Sequence, residues 1–130
     1  MKKLADVLNK TGGMEKFMGF ASPNTTPTPD DLFDRFLPEL NGGELKVLLY
    51  IIRRTYGFKK DSDAISLTQI CEGIKTKTGK HLDYGTGLSL SAVKTAVKSL
   101  EKRGLIVVGR VKEDGGYNYV NTYSLRFQER

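Results

Sequence analysis

The stretch from Ser89 to Gly104 leaves this chain little choice of fold. Ser89 is a side-chain acceptor placed where a helix begins. Val93, Ala96, Val97 and Leu100 recur at the spacing of one buried helical face. Lys102, Arg103 and Gly104 then supply a basic last turn and a glycine stop. A helix this one-sided must be covered, and a β-hairpin follows it directly. Leu105 to Val108 is an apolar, β-branched run that Arg110 to Lys112 continue, and Glu113, Asp114, Gly115 and Gly116 form the turn. Tyr117 to Phe127 returns with Tyr117, Tyr119, Asn121, Tyr123, Leu125 and Phe127 alternating onto one side, of which Tyr119, Tyr123, Leu125 and Phe127 are expected to pack.

Upstream, Pro29, Asp30 and Asp31 open a first helix through Leu32, Phe33, Phe36 and Leu37, closed or kinked by Pro38. Asn41 to Glu44 begins a second helix. Its buried stripe is predicted at Leu45, Leu48, Leu49, Ile52 and Tyr56, widened by Val47, Tyr50 and Ile51, with Gly57 as its stop. Lys59 to Asp63 is a polar loop and Ala64 to Ser66 an extended piece. Ser66 or Thr68 caps a third helix through Ile70, Cys71 and Ile74. Lys75 to Thr86 is rich in Gly, Thr and Lys, has no period, and reads as a loop.

Residues 1–28 form an N-terminal arm and linker, and 29–130 the domain proper. Met1 to Lys10 suits a short amphipathic helix through Leu4, Val7 and Leu8. Pro23, Pro27 and Pro29 put three prolines into seven positions and hold the backbone extended. Phe17, Met18 and Phe20 are expected to pack on the domain or to be disordered, in preference to serving a partner. The fold class that follows is α+β, mostly α: a winged helix-turn-helix with a three-helix core, a C-terminal β-hairpin wing and an N-terminal arm.

Composition narrows the function. A chain of 130 residues suits one domain, and its single cysteine, Cys71, excludes an internal disulfide framework and a multi-cysteine zinc site. No apolar run approaches the ~18–20 residues of a membrane span, and Leu4 to Leu8 is too short and polar for a signal peptide. A cytoplasmic protein with no membrane partner is expected. Residues 1–40 carry five basic and six acidic side chains, whereas 41–130 carry sixteen and nine, a net of +7. That excess suits a polyanionic partner or simple solubility.

With Val93, Ala96, Val97 and Leu100 inward, the outward face of the Ser89 helix presents Leu90, Ser91, Lys94, Thr95 and Lys98. Leu90, Ser91, Lys94 and Thr95 lie early enough to read base edges in a major groove ~12 Å wide. Ser89, Lys98 and Lys102 are placed for phosphates, and the hairpin adds Arg110, Lys112 and Asn118. Glu113 and Asp114 oppose deep insertion of the hairpin. Lys75, Lys77, Lys80 and His81 give the 75–86 segment a basic character, either to touch phosphate or the neighbouring groove or as an inert insertion. No active site is found. His81 has no metal ligand nearby, Asp61 and Asp63 have no partner base, and no glycine pair follows a strand as a phosphate loop requires. Neither a cofactor nor a metal is expected.

The run from Glu44 to Phe58 (ELKVLLYIIRRTYGF), with Lys59, Lys60 and Ile65 to Ile70 (ISLTQI), resembles the N-terminal domain of the phage replication protein O family. Thr86 to Val93 (TGLSLSAV) and Leu100 to Ile106 (LEKRGLI) are similar to that family's recognition helix and exit, though also to many winged-helix regulators. The resemblance covers about residues 30–127, and the 75–85 segment departs from it, since the family makes a tight turn there. It implies a winged helix that binds double-stranded origin DNA and starts replication of a phage, plasmid or integrative element in the bacterial cytoplasm or nucleoid. It also implies a C-terminal region that recruits the host replicative helicase or its loader. The sequence ends at Arg130 without it, as expected of a fragment or of a short relative. A winged-helix transcriptional regulator and a protein-interaction winged helix are the alternatives, and a homodimer is left open.

Overall fold

Residues 16–21, 24–110 and 120–128 are the described part of the computed structural model. In chain order they form α1 (Leu32–Phe36), α2 (Gly42–Thr55), β1 (Ser62–Ser66), α3 (Leu67–Glu72), β2 (Ile74–Lys75), β3 (His81–Asp83), α4 (Leu90–Lys102), β4 (Ile106–Gly109) and β5 (Val120–Leu125). The architecture is α+β with antiparallel sheets.

The core forms where α2, α3 and α4 meet one face of a three-stranded sheet of order β1-β5-β4. Tyr123 lies at its middle, opposite Asp63 on one side and Val108 on the other, and is fully buried. Val47, Ile51, Ile65, Ile70, Val93, Leu100 and Ile106 belong to the same buried cluster and are without exposure. Each such side chain contributes roughly 1.5–3 kcal/mol by leaving water.

The stripe predicted for α2 is rotated. Val47, Leu48, Tyr50, Ile51, Ile52 and Thr55 are buried, Leu45 and Tyr56 half-buried, and Leu49 is 41% exposed. Apolar residues run almost all round this helix, so periodicity alone does not fix its phase; packing against α4 and β5 does. Buried Thr55 is satisfied within its own helix, donating to the Ile51 carbonyl at 2.8 Å.

Other expectations are corrected in the same way. The first helix is a single π-type stretch in which only Leu32 is buried, with Phe33 and Leu37 exposed. Ser66, not Thr68, caps α3, accepting from the Gln69 amide at 3.0 Å. That helix ends at Glu72 because Gly73 turns to φ +86°, so Ile74 belongs to β2 instead. Residues 75–86 are no plain loop. Ile74 pairs with Asp83 and Lys75 with His81, making a two-stranded hairpin with a register shift that leaves Leu82 over. Strands this short carry no readable alternation. The Thr76 amide closes the turn onto the Lys80 carbonyl at 2.8 Å.

β4 stops at Gly109, so Arg110 lies beyond the strand. Lys112, Asn118, the expected turn at 113–116 and the expected Met1 to Lys10 helix fall outside the described residues. Phe127 is 60% exposed, although its ring stacks on Tyr56 at 5.8 Å. Phe17, Met18 and Phe20 do not lie buried on the domain; they are exposed, the two rings edge to face at 4.7 Å. Among the described residues no helix is long and apolar enough to cross a membrane.

Candidate nucleic-acid interface

α4 is held on its inner side and open on its outer side. Ser89 caps it, its hydroxyl oxygen accepting from the Ala92 amide at 3.2 Å while lying 3.3 Å from the Ser91 hydroxyl. Val93, Ala96, Val97 and Leu100 are buried against the core. Leu90, Ser91, Lys94, Thr95, Lys98 and Lys102 are all exposed, so the structure brings both base-facing and phosphate candidates onto one surface. Ser91 and Thr95 also border a groove of about 370 Å³ shared with Asn41 and Gly43 at the start of α2.

The acidic side chain of this helix is neutralised. Arg110 forks onto Glu101, Nη1 to Oε2 at 2.8 Å and Nη2 to Oε1 at 2.7 Å. Those bonds and the Arg110 charge, against the opposing effect of burial, hold the Glu101 carboxyl below its ordinary range. Arg110 thus cancels an acid beside the outward lysines of α4.

Two part-buried networks hold the elements around this face. Glu44 and Asn41 form a reciprocal capping box, the Asn41 amide donating to Glu44 Oε1 at 2.9 Å and the Glu44 amide to Asn41 Oδ1 at 2.8 Å. The other oxygen of Glu44 accepts from the Ser99 hydroxyl and from Arg103 Nε, the latter at 2.8 Å, across from α4. Burial alone would raise the Glu44 pKa, but the Ser99, Asn41 and Arg103 donors outweigh it and keep the group ionised below its usual range.

The second network anchors the β2–β3 hairpin. Both Asp83 oxygens lie 3.1 Å from the Tyr50 hydroxyl, which donates to them and accepts from Gln69 Nε2 at 3.3 Å. Asp83 also takes the Gly85 amide at 2.9 Å and faces Arg54 Nη1 at 3.5 Å. Burial, and then the adjoining Asp83 charge, push the Tyr50 phenol up to about 12. Gly73 and Gly85, both at positive φ, let these backbones meet: a Cβ on Gly73 would lie 2.2 Å from the Asp83 carbonyl oxygen. Beyond the hairpin, the Thr86 and Gly87 amides donate to the Ile70 and Cys71 carbonyls at 2.8 and 3.0 Å, tying it between α3 and α4.

Lys75, Lys77 and Lys80 are all exposed on that hairpin. Arg54 also pairs with Asp63 at 3.9 Å and lies over the Phe58 ring at 4.4 Å, while Lys60 reaches Asp63 at 3.2 Å. Asp63 is thus a structural partner of two cations. Burial raises the Cys71 thiol pKa, the Glu72 charge adding to it.

Sequence reasoning missed the Glu44–Arg103 lock, the role of Asp83 and the exposed pair Leu82 and Tyr84. Asp83 did carry a signal: it is the only acid between Glu72 and Glu101.

A family model described as bacteriophage replication protein O matches residues 26–123, from the linker to Tyr123 in β5. No curated protein and no solved structure matches the chain.

Proposed function

The chain belongs to the bacteriophage replication protein O family, and from that premise we propose that it binds double-stranded DNA sequence-specifically to initiate replication of a phage or related element. The observation that carries this reading is the α4 surface, where three lysines and two hydroxyls stand outward on a helix whose opposite face is locked into the core. In this reading α2, α3 and α4 are the three helices of a winged helix, and β1, β4 and β5 its sheet. Leu90, Ser91, Lys94 and Thr95 face base edges in the major groove. Lys98, Lys102 and the hairpin lysines Lys75, Lys77 and Lys80 hold phosphates, which position the domain without reading sequence. The chain acts as a binding module without chemistry of its own, in the bacterial cytoplasm, with a replicative helicase or its loader as a second partner.

A nuclease footprint on the DNA element that encodes the protein, taken at two salt concentrations, tests this. Protection of clustered repeats away from a promoter is the expected result. Protection confined to a promoter supports a transcriptional regulator instead, and no protection at either salt concentration contradicts DNA binding.

A further inference from the structure

The β2–β3 hairpin has a surface that neither the core nor the α4 face accounts for. Tyr84 is 75% exposed and Leu82 is 63% exposed, a costly display of apolar area for a segment otherwise rich in Gly, Thr and Lys. The Tyr84 ring is not left to wander: it stacks on His81 with centroids 4.5 Å apart and planes 22° from parallel. His81 is itself held near the chain, Nδ1 lying 3.3 Å from the Asp83 carbonyl oxygen. Lys75, Lys77 and Lys80 stand exposed on the same hairpin. Asp83, which would cancel part of that charge, is engaged inward by Tyr50, Arg54 and the Gly85 amide. The outer surface therefore combines a supported aromatic face, an apolar side chain and three exposed cations that pair with no carboxylate among the described residues. Tyr84 is five residues before Ser89, within at most ~18 Å of the α4 cap by chain length.

We propose that this hairpin is a stacking site for unpaired DNA bases, with Tyr84 as the platform and Lys75, Lys77 and Lys80 on the adjoining phosphates. Aromatic rings beside a basic track are how proteins take single strands, because every base has a π-face and every nucleotide a charge. The anchoring through Asp83, Gly73 and Gly85 presents the ring on a fixed support. The inference rests on the duplex-binding reading of α4, since it places the unpaired bases next to a duplex held by that helix. A domain so equipped favours duplex that is open beside its site over duplex that is closed.

The test uses the full chain and fluorescence anisotropy with three probes: an intact duplex, the same duplex with a central mismatched bubble, and oligothymidine. The wild-type chain should prefer the bubble by roughly tenfold, the effect of one stacked base. Tyr84→Ala should abolish that preference while leaving intact-duplex affinity and the melting curve unchanged, and Tyr84→Phe should keep it. Equal wild-type affinity for bubble and intact duplex overturns the proposal, as does a preference that survives Tyr84→Ala. Oligothymidine binding that depends on Tyr84, with no binding to any intact duplex, overturns the α4 reading and sustains base stacking by the hairpin. Tyr84-dependent binding to anionic phospholipid vesicles, with no oligonucleotide bound, overturns both.

Discussion

Glu44 on the first turn of α2 and Arg103 at the end of α4 meet at 2.8 Å, and Glu44 is 1% exposed. This contact joins the start of one helix to the finish of another and so sets the direction in which the lysine face of α4 points. Arg103 stands 38% exposed at its side chain, so one end of the pair keeps its water. Truncating it as Arg103→Ala leaves a buried carboxylate without its counter-charge. The expected cost is about 2–3 kcal/mol, less than the ~3–5 kcal/mol of wholly buried pairs, read from urea unfolding. An unchanged midpoint would show that Ser99 and Asn41 suffice to hold Glu44.

The same carboxylate makes stability depend on acid. The Glu44 pKa in the fold lies below its ordinary 4.5, so the unfolded chain binds more protons in that range. The stabilisation is present above the unfolded value and is lost as pH falls through the folded one. Thermal melts from about pH 6 down to about pH 3 should show a declining midpoint, with Glu44→Gln less stable at neutral pH and flatter below it. Parallel acid limbs for the two proteins would assign the loss to other groups, Glu101 first among them.

Tyr50 and Asp83 join α2 to the β2–β3 hairpin through the hydroxyl of a residue that is 8% exposed. Tyr50→Phe removes the donor from both Asp83 oxygens and the acceptor from Gln69, at an expected cost of about 1 kcal/mol. Amide exchange at Thr76 and Lys80 should accelerate more than exchange in α4. Uniform acceleration throughout the domain would mean that the hairpin is held by something else.

Gly85 permits the close passage of the hairpin over the end of α3. A Cβ there would stand 2.5 Å from the Gly73 nitrogen, on a backbone with φ +67°. Gly85→Ala should therefore cost at least ~2 kcal/mol, combining left-handed strain with a backbone clash that no rotamer relieves. Gly79→Ala, at positive φ but in open space, is the matched control and should cost about 1 kcal/mol. Equal melting shifts for the two would remove the close approach from the account.

Much of this architecture was legible in the residues, and the exceptions have physical causes. Ser89, Val93, Ala96, Val97 and Leu100 specify α4 because cap and stripe agree, and every outward position follows from them. α2 was legible as a helix but not in phase, since Leu49 differs from Leu48 only in which neighbour reaches it. The β2–β3 hairpin was invisible because strands of two and three residues are set by Gly73, Gly85 and Asp83, contacts made across the fold. The lysine candidates were found by charge, whereas Tyr84 stands out only once its exposure and its stack on His81 are seen.

The central claim, that the α4 face meets duplex DNA, is tested most directly by the salt dependence of binding in wild-type, Lys98→Ala and Lys94→Ala chains. The five lysines assigned to phosphates should lower the wild-type affinity by roughly two and a half to three decades between ~50 and ~200 mM salt. Lys98→Ala should weaken all sequences alike and reduce the logarithmic slope by about one, while Lys94→Ala should cost ~1–3 kcal/mol and relax preference at one base position. A wild-type affinity indifferent to salt, or slopes that neither substitution alters, would contradict the assignment of this helix to DNA.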